Sequence, residues 1–527
     1  VYTSNFVVSY FTNYTYKMNS IVVSPHHLST NAGKKILEIG GNAVDAAIAT
    51  NIVQGVVAPE TCGIGGDLFA LIWKDGFTAP DCLDASGYAG SNVDGDSFSG
   101  EIIPLNHPMS VTVPGAVDGW FKLHEKFGSI DISKIFELGI EICHEGFEIN
   151  HELAKSLKLH ESELGAQQSS FSFYKNSLPL EAGSLVRRIN LGNTLELIAK
   201  EGPDVYYKGA IAASISKAVG NTLTVEDLNN YSSQWVKPLR LNIFGYDGWT
   251  TPPSTQSYLT LATLKGYELL SQQYEESLHM LIESYRIFAA DRDNITFDYK
   301  NDIHQFEGVN MDYIEEKIGM YNNEQTQKFD FPSAKGGGTA YMTVKDSQGL
   351  GISLIQSNFH GIGSRIGVDD YGFFLHNRGC GFNLNKNHKN YLLAGRKPLH
   401  TLSPTMWTKD DQLKLILGTR GGRYQPQLLA QVALPYIQNQ TALQDTMSIG
   451  RWAINDFISN TDSHITVEGS FPDVELEKLE EKGHTVKKIK EQYDKAYGPV
   501  SGIYKDTKGQ WTGAGDVRVG TETVVKI

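Results

Sequence analysis

Residues 42–53 constrain this chain more than any other stretch. Asn42 stands before Ala43, Val44, Ala46, Ala47, Ile48, Ile52 and Val53, which reads as a capped helix that is apolar on nearly every side. Such a helix has no face to give to water, so the fold must enclose it. A helix from Ser29 to Ile39, stopped by Gly40-Gly41, precedes it, and a buried strand from Leu68 to Trp73 follows. A buried helix next to a buried strand demands a layered protein.

The other layers come from the rest of the 527 residues. The middle of the chain reads as mainly helical. Thr224-Val225-Glu226-Asp227 has the form of a helix start, and Leu281 to Asp291 reads as a helix carrying Glu283, Arg286 and Asp291. Residues 301–338 hold seven acidic and three basic residues and end in Phe331-Pro332-Ser333-Ala334-Lys335-Gly336-Gly337-Gly338. That is the pattern of an exposed, mobile connector. Strands then take over. Thr339 to Val344 and Gly351 to Gln356 flank a turn at Lys345-Asp346-Ser347-Gln348-Gly349, and Leu413 to Leu417 runs into Gly418-Thr419-Arg420-Gly421-Gly422. Long helices with antiparallel strands predict an α/β or α+β enzyme built in layers.

Charge and cysteine usage exclude several functions. Lys and Arg total 46 against 60 Asp and Glu, a net charge of −14, which argues against binding to nucleic acid or to an anionic membrane. No apolar run approaches the ~20 residues of a membrane span. Cys62, Cys82, Cys143 and Cys380 are too few and too scattered for a disulfide framework or a zinc knuckle. His26, His27, His376, His388 and His400 lack ligand spacing, so no metal is expected. Val1 to Lys17 has neither the basic start nor the apolar core of a secretory signal, which makes the cytoplasm the expected compartment.

Chemistry enters at Gly336-Gly337-Gly338-Thr339. A hydroxyl at the start of a strand, behind three glycines, can attack its own preceding carbonyl, because glycine permits the backbone geometry that attack requires. Cleavage would free Thr339 as a new N-terminus. Its α-amine, with an ordinary pKa of about 7.7–8.0, would then serve as base for its own hydroxyl. The bland alternative is a glycine-rich hairpin start. Gly421-Gly422 is the second feature. Two adjacent N–H groups in a glycine turn form an anion-binding concavity, which beside Thr339 would hold the oxyanion of acyl transfer. Here the alternative is a plain strand-to-helix turn.

Both features sit inside a longer series of motifs. It begins with Gly40-Gly41-Asn42-Ala43-Val44-Asp45-Ala46-Ala47 and Gly63-Ile64-Gly65-Gly66-Asp67, and continues with Val113-Pro114-Gly115-Ala116-Val117, Tyr206-Tyr207-Lys208-Gly209, Thr251-Pro252-Pro253-Ser254 and Ala290-Asp291-Arg292. After Thr339 come Gly395-Arg396-Lys397-Pro398-Leu399, Ser403-Pro404-Thr405, Gly421-Gly422 and Gly515-Asp516-Val517-Arg518. In order and spacing this set resembles the γ-glutamyltranspeptidases, which are N-terminal-nucleophile hydrolases, from about Ile21 to about Gly520.

The resemblance implies a four-layer αββα sandwich made as one self-cleaving precursor. Residues 1–20 would be an N-terminal extension, 21–338 the large subunit and 339–527 the small one, interwoven in a single unit. Cleavage would fall between Gly338 and Thr339, with Thr339 as the processing residue and the acyl-accepting nucleophile. Thr343 and Ser357 would support that nucleophile, and Gly421 and Gly422 would form the oxyanion hole. The implied partner is a small γ-linked amide whose acyl group passes to water or an amine, with no cofactor, and a homo-oligomer is compatible with it. A cephalosporin-acylase-like amidase and an unprocessed scaffold of the same fold are the competing readings.

The substrate clamp departs from the family. Its transpeptidases hold the glutamyl α-carboxylate with an arginine, and the matching position here, in Leu83-Asp84-Ala85-Ser86-Gly87-Tyr88, is Ser86. They hold the α-amine with a Glu and an Asp, whose places are taken by Arg378 and Gly381; their serine pair becomes His400-Thr401. An arginine in place of an acid favours an anion over an ammonium, and Arg365, Arg420 and Arg423 are further cations near these motifs. Residues Ser86, Arg378, His400, Thr401 and Arg420 are therefore the expected substrate contacts; the alternative is that the arginines simply make structural hydrogen bonds. The expected donor carries a carboxylate without a free amino-acid end, as a glutaryl or polyglutamyl amide does. Gly63-Ile64-Gly65-Gly66 reads as a packing turn at the site wall and Cys380 as an inert buried thiol.

Overall fold

The computed structural model describes residues 20–100, 102–165, 172–300, 302–329, 338–454 and 464–527. Its centre is a pair of stacked antiparallel sheets. In chain order their strands are β1 (Ile21–Ser24), β2 (Asp67–Lys74), β3 (Asp81–Ala85), β4 (Gln234–Val236), β5 (Leu239–Ile243), β6 (Tyr246–Thr250), β7 (Ala340–Lys345), β8 (Leu350–Ser357), β9 (Thr405–Lys409), β10 (Gln412–Thr419), β11 (Val500–Lys505), β12 (Trp511–Ala514) and β13 (Thr523–Lys526). One sheet runs β13-β1-β7-β8-β2-β3-β4, and the other β12-β11-β10-β9-β6-β5. Each sheet mixes strands from before and after Thr339.

Helices cover both outer faces. Over the first sheet lie α1 (His27–Glu38) and α2 (Ala43–Val57), with α3 (Ile132–Glu145) and α4 (Ile189–Glu201) outside them. Over the second lie α5 (Tyr258–Ser271), α6 (Leu278–Ala290), α7 (Met311–Ile318) and α8 (Gln425–Asn439). The layers are therefore αββα. All fifteen residues of α2 are buried, because β7 and β8 lie on one side of it and α3 on another. The Asn42 side chain accepts from the N–H groups of Val44 and Asp45, and Asp45 returns the favour to the Asn42 N–H, a reciprocal cap that satisfies the exposed donors of this buried helix end.

Strand alternation sorts side chains between two kinds of core. In β7, Ala340, Met342 and Val344 join the core under the helices, while Tyr341 packs with Phe69, Ile355 and Leu402. Leu71, Trp73, Trp249, Met406 and Ile416 fill the space between sheets. By the same period of two, Thr339 faces that space.

Two expectations need correction. The stretch from 302 to 329 is not a bare connector, since α7 buries Tyr313, Ile314 and Ile318 in the second core. The charges around those three residues mask an amphipathic helix. Residues 301 and 330–337 lie outside the described residues. The middle of the chain also holds the β5–β6 hairpin, whose alternation of buried Leu239, Leu241 and Ile243 with exposed residues is a strand signature.

The two sheets touch closely at Gly418, where a Cβ would lie 2.0 Å from the Tyr341 ring. A Gly418→Ala change must displace that ring and its hydrogen bond to Ser353. We expect a loss of about 1–3 kcal/mol in urea unfolding.

Candidate active site

Register brings three residues from distant parts of the chain into one row. Ala340 pairs with Gln356, so Thr339 meets Ser357, and Ser357 in turn pairs with Asp67. Thr339, Ser357 and Asp67 are all buried. Thr339 Oγ1 lies 3.1 Å from Ser357 Oγ. Ser357 Oγ is 2.7 Å from the Gly338 carbonyl oxygen and also accepts the Phe359 N–H at 2.7 Å. A hydroxyl has one proton, and the Gly338 carbonyl can only accept. Ser357 therefore donates to Gly338, and its oxygen receives the Thr339 hydroxyl. One serine thus draws on the threonine proton and polarises the carbonyl that precedes that threonine.

Behind this row lies a buried charge cluster. Asp67 Oδ2 accepts from Arg378 Nε and from His400 Nε2, each at 2.9 Å, and His376 Nδ1 stands 3.3 Å away. Burial alone would raise the Asp67 carboxyl, but His376 and His400 hold it well below the usual carboxylate range. Burial and then Arg378 push His400 down to about 4. Its Nδ1 accepts the Leu402 N–H, which leaves Nε2 as the protonated nitrogen facing Asp67.

Arg378 is fully buried and donates through Nη1 to Thr401 Oγ1 at 3.3 Å. Its guanidinium carbon lies 4.2 Å from the centre of the Phe359 ring. Of the two readings of Arg378, the buried pairing is that of a structural arginine and not of an open cation. Asp67 neutralises it, and His400 and Thr401 belong to the same closed network. What it retains is Nη2, which has no hydrogen-bond partner among the described residues.

The other expected residues fall at varying distances from this row. Thr343 lies four residues along the strand from Thr339, about 13 Å at ordinary strand rise, and its hydroxyl donates to the Ile352 carbonyl. It does not reach Thr339. Gly421 and Gly422 have φ of +125° and +57°, which suit glycine. They follow Gly418, which packs on Tyr341 two residues from Thr339, so their turn lies at the same end of the sheet pair. Arg420 stands near Glu60, a residue the sequence did not single out, whose carboxyl burial pushes up to about 7. Arg365 pairs with Glu163 at 3.0 Å and Arg423 with Asp293 at 3.9 Å, so neither is an isolated cation.

Ser86 is turned inward onto Asp84, to which its hydroxyl donates at 2.6 Å. The other Asp84 oxygen holds Lys397 at 2.8 Å. A lysine from a segment 313 residues away thus stands near Ser86. Cys380 is half-buried, less enclosed than the buried thiol expected, and desolvation pushes its thiol up to about 12. Gly65 and Gly66 let the backbone close on Phe374 and Ser357, where a Cβ would lie 2.2 and 2.7 Å from carbonyl oxygens. This is the packing turn at the site wall. Asp67 and Lys397 both lie in motifs visible in the sequence, and a charge at the start of an apolar strand is itself a sign that a partner is needed.

The model of the γ-glutamyltranspeptidase family matches residues 29–525. The chain belongs to this family. It is 29% identical over 514 residues to the glutathione hydrolase-like YwrD proenzyme of Bacillus subtilis (strain 168), covering 94% of this chain and 97% of the relative. It is 28% identical over 518 residues to the oxamate amidohydrolase proenzyme of Klebsiella pneumoniae, covering 95% and 97%. Among solved structures, the cephalosporin acylase of Bacillus halodurans superimposes with a TM-score of 0.86 at 28% identity, over 99% of this chain and 97% of that one. The αββα layers are thus those of N-terminal-nucleophile hydrolases of the γ-glutamyltranspeptidase type. No helix among the described residues is long and apolar enough to cross a membrane.

The cluster sets a pH dependence and a mutational sensitivity. An unfolded histidine takes up a proton below about 6.5, whereas folded His400 resists until about 4. Its contribution is therefore complete above pH 6.5 and is lost as the pH falls from 6.5 toward 4, by about 3 kcal/mol. His26, pushed down to about 4 by burial and by His27, acts in the same sense. Urea unfolding between pH 7.5 and 4.5 should show this fall, and His400→Gln should flatten part of it. At pH 7.5, Asp67→Asn leaves Arg378 buried without its counter-charge, and unfolding should be easier by about 3–5 kcal/mol.

Proposed function

We propose that this chain matures by breaking the Gly338–Thr339 bond and that Thr339 then serves as the nucleophile of a γ-linked amide hydrolase. The observation that carries this reading is the chain of hydrogen bonds from Thr339 to Ser357 to the Gly338 carbonyl. In maturation the Thr339 oxygen bonds to the Gly338 carbonyl carbon while Ser357 relays the hydroxyl proton. The C–N bond breaks, the proton ends on the released amine, and water hydrolyses the ester. The products would be residues 1–338 and 339–527. In turnover the free α-amine takes the hydroxyl proton as Thr339 attacks the donor carbonyl, then gives it to the donor's amine, which leaves as the C–N bond breaks. The N–H groups of Gly421 and Gly422 would hold the oxyanion. Water, in preference to an amine, then receives the acyl group.

The donor we favour carries a carboxylate and no free α-amino acid end. Arg378 Nη2 and the Lys397 ammonium are the supporting cations, and Arg378 and Gly381 offer no acid to an α-ammonium. A relative named for oxamate, itself an amide with a carboxylate, fits this reading. Likeness to a cephalosporin acylase over nearly the whole chain favours a second reading, an amidase for cephalosporin side chains. The four free cysteines fit a reducing compartment such as the cytoplasm.

Thr339→Ala should abolish both cleavage and amide hydrolysis, and a cleaved, active variant would contradict the assignment. Mature enzyme should hydrolyse a glutaryl anilide at least about tenfold faster than the γ-glutamyl anilide, since neither Arg378 nor Gly381 supplies an acid to pair the α-ammonium. Equal rates would contradict the donor proposed here.

A further inference from the structure

If Thr339 is the nucleophile, the Gly338 carbonyl is the first acyl group it takes. When Thr339 takes the Gly338 carbonyl, the product is an ester of the same kind that a donor forms on Thr339. On that ester the Gly338 α-carbon is the chemical counterpart of the donor carbon next to the attacked carbonyl.

The Gly338 α-carbon is walled. A Cβ on Gly338 would lie 2.1 Å from the Glu60 carbonyl oxygen and 3.0 Å from the Gly361 carbonyl oxygen, well inside the ~3.5 Å at which such atoms rest. Both walls are held in place. Asn358 Nδ2 donates to the Pro59 carbonyl at 3.0 Å, and the Asn358 N–H donates to the Thr61 carbonyl at 3.1 Å, so the turn carrying Glu60 is tied to the residue after Ser357. Gly361 sits at φ +55° against His160, which a Cβ there would meet at 3.0 Å. Neither wall lies in the segment that ends at Gly338, so both would remain when that segment is released.

We infer that the acyl site accepts only donors whose carbon next to the attacked carbonyl lacks a substituent in the position of an L-residue Cβ. The inference rests on the reading of Thr339 as nucleophile and sharpens it. Amides whose carbonyl is flanked by a methylene, such as γ-glutamyl, glutaryl and glycyl amides, enter. Ordinary peptide bonds of L-residues, which carry a Cβ at that carbon, are excluded. Backbone shape therefore selects side-chain amides over main-chain amides, independently of any charge contact.

The test has two arms. In the first, precursor carrying Gly338→Ala is followed by intact mass over time; cleavage should slow at least about tenfold, the usual effect of one misplaced methyl group. In the second, mature wild-type enzyme is given glutaryl anilide and both enantiomers of the 2-methylglutaryl anilide whose amide lies beside the branch. The enantiomer with the sense of an L-residue should fall at least about a hundredfold in kcat/KM. Wild-type cleavage of the alanine precursor, or equal turnover of glutaryl and both methylated donors, would overturn the inference. If cleaved wild-type enzyme hydrolysed none of these anilides, the donor class would be wrong, while the first arm would still decide whether the wall exists.

Discussion

Ser357 faces Asp67 on one side and Thr339 on the other across β7, β8 and β2, and most of what is distinctive in this molecule depends on that register. Strand side chains alternate with a period of two, so a slip of one residue would turn Thr339 toward the helices and Ala340 toward the second sheet. Apolar packing prevents it. Met342 and Val344 are held under α2, and Tyr341 is held against Phe69, Ile355 and Leu402. The hydroxyl pair is thus positioned by hydrophobic burial on both faces of the strand that bears Thr339.

The Asp67 cluster shows how the same scaffold carries a different electrostatic pattern. A carboxylate with no solvent exposure must be paired, and Asp67 is paired by Arg378 and His400 at once. Arg378 is therefore part of a buried wall, with its charge largely spent inside the protein. The second cation, Lys397, is likewise anchored on an aspartate, Asp84.

Local features were legible in the sequence. Asn42 with Asp45, and Thr224 with Asp227, cap helices as their spacing suggests, and the hairpin from Thr339 to Gln356 forms where its alternation and glycine turn put it. Ser357 was found because its place follows from the family motif. Long-range pairing was not legible. Asp67 and Arg378 are 311 residues apart, and no pattern within either segment announces the other. Thr343 failed for a geometric reason, since four residues of strand carry it beyond reach of Thr339. The α7 helix was hidden because acidic residues surround its three buried apolar ones.

The central claim is that the bond before Thr339 is broken to make the working protein. It is tested most directly by the intact mass of purified protein under denaturing conditions. The account predicts two pieces of roughly 37 and 21 kDa, in proportion to the 338 and 189 residues on either side of the bond, the smaller beginning at Thr339. A single chain of 58.2 kDa that nonetheless hydrolyses amides would contradict it.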